Sequence, residues 1–470
     1  MLIAVFQILY KLVAAVIAVR IVFNSRNPYK ALAWTLVLLL LPLVGLIIYF
    51  FFGRTGRKER LIGERQLSVD RRALRRFVRL SSCKVNPNYE PMVRFLKMRC
   101  SSLPYANNEV RLFYSGTQML EALLSDIKAA QHHIHVQFYI FADDSVGQMV
   151  RDALVERARN GVKVRVVYDD VGCFRVSSRF FDSMRREGID AKCFLNVWFP
   201  RFAGRVNYRN HRKLVIIDGK IGYIGGMNLA DRYVKGNKLG AWHDIHMRLH
   251  GGAVYSLQAS FVDDWYFVSG SNISADSLFP DIHVEPQVHN TIQTVRSNPV
   301  GQRADIMHGL LMLIISARHY IYIQTPYFLP TQPLLVALRM AAMSGVDVRI
   351  MLPRHSDSIL PYWGSRSFVE DMLSAGVRIY FFDDGFLHSK MWVSDDSVAS
   401  LGSANVDFRS FENNFEVNSF LYDSSVATEL KAHFRRQMGH CTRITYTDWL
   451  RRPMRHRIVE SFVRLLAPLL

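Results

Sequence analysis

His211 and Lys213 stand two apart at the head of an apolar run, Leu214 to Ile217, that ends in Asp218. On a strand, alternate residues share a face, so such a pair sets an imidazole beside a fixed cation. One copy is a weak signal. The same His-x-Lys-x-x-x-x-Asp pattern returns about 177 residues later as His388, Lys390 and Asp395. The text beyond each motif repeats as well: Gly225-Gly226-Met227-Asn228 matches Gly402-Ser403-Ala404-Asn405.

Brought together, the two copies suit a phosphodiester. Phosphoryl transfer needs positioning and charge stabilisation more than it needs covalent help. Lys213 and Lys390 can hold non-bridging oxygens as point charges, and Asn228 and Asn405 can donate to the same oxygens. Gly226 and Ser403 are small enough to let a phosphate approach the backbone. One histidine can attack phosphorus while the other protonates the leaving oxygen. The covalent route lets a second alcohol take the place of water. The lysines supply the positive charge, so no metal and no other cofactor is expected. Each histidine needs an acceptor on its second nitrogen, and Asp244 and Glu416, comparably placed downstream, are the candidates. Asp218 and Asp395 complete the motif and are grouped with the catalytic set. Their place at strand ends also suits bracing a loop.

Other polar groups read as structure. His132, His133 and His135 form a cluster with no second set of ligands. Asp169-Asp170 and Asp383-Asp384 follow strands and suit turns and caps. Tyr327, Phe328 and Trp363 suit either core packing or an apolar pocket.

The elements that must position the motifs alternate. Val110–Tyr114 predicts a strand, Gly116–Ala130 a helix, Ile134–Ile140 a strand, Ser145–Asn160 a helix stopped by Gly161, and Val162–Tyr168 a strand. That order repeats: Ile321-Tyr322-Ile323-Gln324 echoes Ile134-His135-Val136-Gln137, and Gly345 to Ile350 echoes Gly161 to Val166. The fold class is α/β, with two duplicated domains of strands covered by helices, at about 101–270 and 300–440. Ser271 to Pro299 reads as a linker. Residues 441–470 read as a basic amphipathic tail that packs on the body or touches a membrane.

Two apolar stretches, about 2–23 and 31–52, predict an N-terminal transmembrane helical hairpin over residues 1–53. Arg54, Arg57, Lys58, Arg60 and Arg65 open a basic juxtamembrane segment, 54–100, which puts the following domains in the cytoplasm and attracts anionic lipid. The net charge of +19 points to a polyanionic partner, and the hairpin favours a membrane surface over nucleic acid. Five cysteines, odd in number and widely spaced, suggest neither a disulfide framework nor a zinc site.

The paired motifs resemble the phospholipase D superfamily. Leu40-Leu41-Pro42-Leu43-Val44-Gly45, Asn207-Tyr208-Arg209-Asn210-His211-Arg212-Lys213, Gln324-Thr325-Pro326-Tyr327-Phe328 and Arg409-Ser410-Phe411 are more closely similar to its bacterial cardiolipin synthases. The resemblance covers nearly the whole chain. It implies two phospholipase D-like α/β/α sandwich domains and transfer of a phosphatidyl group from one phosphatidylglycerol to another. It also implies a phosphatidyl-histidine, with His211 as nucleophile and His388 as general acid and then base. The near symmetry of the halves leaves the reverse order open. Glu416 would orient His211 and Asp244 would orient His388, each across the domain interface. A hydrolytic phospholipase D would use the same site, and a nuclease is the more distant alternative.

Overall fold

The computed structural model describes residues 2–24, 28–41, 43–53, 85–197, 207–273, 276–284, 290–299 and 304–469. The basic run from Arg54 to Arg79 lies outside them.

The first half contains β1 (Pro104–Phe113), β2 (His133–Phe138), β3 (Lys163–Asp169), β4 (Asp190–Phe194), β5 (Leu214–Ile217), β6 (Ile221–Gly225), β7 (Trp242–His243) and β8 (His246–Gly251). The second contains β9 (Asn290–Ser297), β10 (Tyr320–Gln324), β11 (Asp347–Pro353), β12 (Arg378–Phe382), β13 (Phe386–Leu387), β14 (Met391–Ser394), β15 (Val398–Gly402), β16 (Glu416–Tyr422) and β17 (Cys441–Ile444). From the edge inward the first half runs β4-β3-β2-β5-β6-β8-β1, and the second repeats that order as β12-β11-β10-β14-β15-β16-β9, with β17 outside. β1 and β9 pair antiparallel at the seam, which makes one 15-stranded sheet. The sequence repeat thus becomes an approximate two-fold relation about that seam.

Within each half three parallel strands are linked by helices, and the motif strand, β5 or β14, runs antiparallel beside them. Helix Ser145–Arg159 starts at Asp144, whose side chain accepts from Gly147 N–H. It stops ahead of Gly161 at φ 86°, and Gly345 at φ 94° follows helix Gln332–Met343 in the same way. Both glycines take the left-handed backbone that ends a helix at low cost.

Three expectations change, and a fourth, left open between body and membrane, is decided. The stretch 31–52 is not one helix: helix Pro28–Leu40 stops, and Val44–Ile48 and a π-helical turn Tyr49–Gly53 follow. Proline lacks the donor that a continuing helix needs, and residue 42 is proline. Among the described residues no helix is long and apolar enough to cross a membrane. Second, Ser271–Pro299 is more than a linker, because it supplies β9 at the centre of the sheet. Third, the segment 54–100 ends in helix Glu90–Cys100, whose Met92 and Leu96 pack with Ile306 and Leu310 of the second half. Fourth, the tail is seated on the body. β17 extends the sheet, Trp449 is buried, and Arg464 pairs with Asp371 at 2.5 Å. The far face of helix Met454–Leu466 leaves Ile458, Phe462 and Leu465 exposed. Leu466 and Leu469 pack against Ile21, Trp34 and Leu38, so the chain's two ends meet.

Candidate active site at the seam between the halves

The two histidines are placed by backbone register. Asn210 bridges Phe415 in parallel, and Leu387 pairs with His243 in parallel. The next residue on each segment is a site residue: His211 opposite Glu416, and His388 opposite Asp244. His211 N–H donates to Phe415 O at 2.9 Å and His388 N–H to His243 O at 2.7 Å. Each histidine therefore meets the acid of the other half. His211 Nδ1 lies 2.9 and 3.1 Å from the Glu416 oxygens, and His388 Nδ1 lies 2.6 Å from Asp244 Oδ2. With Nδ1 tied to a carboxylate, Nε2 is the atom left for chemistry.

Lys213 and Lys390 lie two residues after their histidines, immediately ahead of β5 and β14, and are buried. Lys213 Nζ donates to His211 O at 2.6 Å and lies 5.6 Å from the Tyr139 ring. Lys390 Nζ lies 3.2 Å from His388 Nε2. Tyr139 meets His211 edge-on at 5.1 Å, and Trp242 lies 5.2 Å from His388.

Asp218 and Asp395 brace loops, as their strand-end position suits, and the other motif residues serve this framework in ways not expected. Asp218 and Asp395 leave the catalytic set. Asp218 accepts from the backbone N–H groups of Gln131, His132 and His133 at 2.7–2.9 Å. Asp395 accepts from those of Arg318, His319 and Tyr320 at 2.7–3.0 Å. Both clamp the entry to the neighbouring strand, at the far end of β5 and β14 from the histidines. Gly226 and Ser403 face the acids, not an open phosphate site. A Cβ on Gly226 would come 2.2 Å from Asp244 Oδ1, and the Ser403 hydroxyl donates to Glu416. Asn228 accepts from Ile140 N–H at 3.1 Å and donates to Tyr233 Oη at 2.7 Å. The Asn405 side-chain oxygen is buried with no hydrogen-bond partner among the described residues.

Sequence reasoning missed the charges beneath the His211 loop. Arg209 pairs with Asp169 at 3.3 Å and Arg212 with Asp264 at 2.5 Å, all four buried. Asp169 caps its own turn at Val171 and Gly172, as expected, and also accepts from Asn210 N–H at 2.9 Å. Arg212 further donates to Glu416 O at 3.1 Å and Ser297 O at 3.0 Å, tying the loop to the second half. The signal was two arginines flanking a histidine that must be enclosed, since buried guanidinium groups require acids. Removing one partner leaves an uncompensated charge. Asp264→Ala is expected to destabilise the protein by about 3–5 kcal/mol, read as a lowered thermal unfolding midpoint in detergent. His133 and His135 stay structural, bonded to Gln258 below the sheet. Phe328 is core, whereas Trp363 lines a cleft.

Burial is the largest influence on each of these groups. It pulls His211 down to about 4, opposed by Glu416 and assisted by Lys213. His388 falls well below the ordinary range through burial, then Lys390 and Lys213. Lys213 falls to about 7, and Lys390 is lowered too, both through burial. The acids part company. Burial pushes both upward, but His211, Lys213 and the Ser403 hydroxyl bring Glu416 below its ordinary value. Asp244 stays raised, because burial exceeds the opposing pull of Lys390.

A family profile described as "Cardiolipin synthase, PLD-like domain" matches residues 123–241 and 310–438, the stretches that hold the two motifs. The chain belongs to the cardiolipin synthase family of the phospholipase D superfamily. A second profile, "Phospholipase_D-nuclease N-terminal", matches residues 12–54. Among cardiolipin synthases, the chain is 38% identical to the "Major cardiolipin synthase ClsA" of Bacillus subtilis, over 98% of each chain. It is 36% identical to the "Cardiolipin synthase" of Geobacillus kaustophilus, over 100% of this chain and 94% of that one. A phosphatidylserine synthase of Haemophilus influenzae superposes with a TM-score of 0.62 at 15% identity, over 80% of this chain and 100% of that one, and shares the fold.

Proposed function

We propose that this cardiolipin synthase family member transfers a phosphatidyl group between two phosphatidylglycerol molecules, releasing glycerol and forming cardiolipin. The observation that carries the reading is the crossed pairing of each histidine with the other half's acid, beside two buried lysines. His211 Nε2 attacks phosphorus as the bond to the glycerol oxygen breaks, and His388 gives that oxygen its proton. The hydroxyl of the second lipid then yields its proton to His388 and attacks phosphorus, and the P–N bond breaks. Lys213, Lys390 and the amide NH₂ of Asn405 donate to the phosphate oxygens. His211 is assigned as the nucleophile because its Nδ1 faces Glu416, held below its ordinary value, whereas His388 faces Asp244, which burial raises, and because its side chain is 13% exposed against 8% for His388. His388 starts as the acid once the bound phosphate offsets the burial and the field of the two lysines that hold its pKa down.

The duplicated units run from about residue 101 to 270 and from about 290 to 440. Residues 2–53 hold the enzyme at the cell membrane as a hairpin, with the catalytic halves on the cytoplasmic side. Exposed Val16, Val19, Phe23, Leu39 and Leu40 on those helices support this placement. Incubating the purified protein with labelled phosphatidylglycerol alone tests the function: cardiolipin and glycerol are expected, and phosphatidic acid without cardiolipin would make it a hydrolase.

Two of the groups that shape the pH dependence are His211 and Lys213; the need for a protonated His388, which burial holds well below its ordinary range, lowers the alkaline limb further. His211 is the free base above about 4, so kcat/KM rises as pH increases through that value. Lys213 loses its charge as pH rises through about 7, so binding of an anionic donor weakens there. A bell between these limits is expected for kcat/KM in detergent micelles.

A further inference from the structure

Beside His388 a cleft of about 1150 Å³ opens between the first half's Arg232–Trp242 segment and the second half's residues 355–363. Three cations line it: Arg175, Arg232 and Lys238. Its one acid, Asp357, accepts from Tyr327 Oη at 2.6 Å. Among the described residues none of the three cations has a carboxylate partner, and Arg232 Nε is buried without a hydrogen bond. The Arg232 guanidinium lies 5.1 Å from the Trp242 ring, which also lies 5.2 Å from His388. Ile359 on its wall is largely exposed, and so is Phe174, the sequence neighbour of Arg175.

We infer that this cleft is the acceptor subsite, in which Arg232, helped by Arg175 and Lys238, holds the phosphate of the second phospholipid while its terminal hydroxyl reaches His388. The inference rests on the reading of His388 as the acid and then the base. The leaving glycerol and the attacking hydroxyl exchange protons with the same imidazole, so the acceptor must arrive on the His388 side. Unpaired cations there match an anionic headgroup, and exposed Ile359 and Phe174 beside them match acyl chains. Arg232 stacks on Trp242, which leaves its donors free for phosphate oxygens. Water and neutral alcohols lack the phosphate that this cleft would hold, so the subsite selects an anionic glycerophospholipid as acceptor.

The test uses the full chain in mixed micelles of phosphatidylglycerol with labelled free glycerol. One donor step then feeds two products, cardiolipin and labelled phosphatidylglycerol formed by glycerol exchange. Arg232→Gln is expected to lower the ratio of cardiolipin formation to glycerol exchange by about 10–100-fold, with KM for the lipid acceptor rising. Arg175→Gln should move the ratio the same way by less, and Arg232→Lys should restore part of it. Equal loss of both products in Arg232→Gln and Arg175→Gln, or an unchanged ratio in both, would overturn the subsite. Wild-type protein that makes neither product would instead remove the proposed function itself.

Discussion

His211→Ala is expected to lose at least about 10⁴-fold in turnover, whatever the donor's leaving group. Without Nε2 there is no atom to carry the phosphatidyl group, and the lysines can only hold the lipid. His388→Ala should behave differently. With phosphatidylglycerol it loses about 10³–10⁴-fold, because the departing glycerol oxide has no proton donor. With a p-nitrophenyl phosphatidyl donor, whose leaving group departs without a proton, the first step should recover most of its rate. Alkaline denaturing quench of that variant within one turnover should trap label on His211, because the P–N bond survives base and is lost in acid. Recovery in His211→Ala and none in His388→Ala would assign the roles the other way round.

Glu416→Gln keeps the volume of the side chain and removes its charge. The expected loss is about 10³-fold in kcat, with KM within about threefold. The glutamate accepts Nδ1–H and holds the lone pair on Nε2, and two further donors, the Ser403 hydroxyl and Asn414 Nδ2 at 3.1 Å, fix it in place. An amide can present its NH₂ to Nδ1 instead. It would then select the tautomer with the proton on Nε2, which cannot attack. Unfolding should shift little, since a buried carboxylate is costly in its own right. A variant that forms the phosphohistidine at the wild-type rate in single-turnover quench would show Glu416 to be scaffolding alone.

The sequence made the histidines and lysines visible because their chemistry is written in short spacings that occur twice. Asp244 and Glu416 showed only as acids at comparable distances. What selects them is the parallel pairing of Asn210 with Phe415 and of Leu387 with His243, contacts between halves that no local pattern encodes. β9 was hidden for a different reason. Its polar residues read as linker, yet Gln293 donates to Ser102 O at 2.9 Å and Thr294 meets Ser419 at 2.9 Å, so a polar strand is satisfied inside the seam. Gly226 and Ser403 were legible as small residues near the site, but small size alone does not say whether a substrate or a carboxylate fills the space. The break after Leu40 was written in Pro42, which an unbroken apolar run outweighed.

The crossed register has a consequence for ancestry. Each half by itself carries a histidine without its acid and an acid without its histidine. A single copy could assemble a working centre only as a homodimer, with each subunit completing the other's. Joining two copies in one gene would then free the subunits to diverge, and the marks of that freedom lie around the histidines. Arg209 and Arg212 are anchored beneath one, while Phe386 and Leu387 precede the other. A glycine backs Asp244 where a serine backs Glu416. One histidine could become dedicated to bonding phosphorus and the other to moving protons, a division of labour closed to two identical subunits.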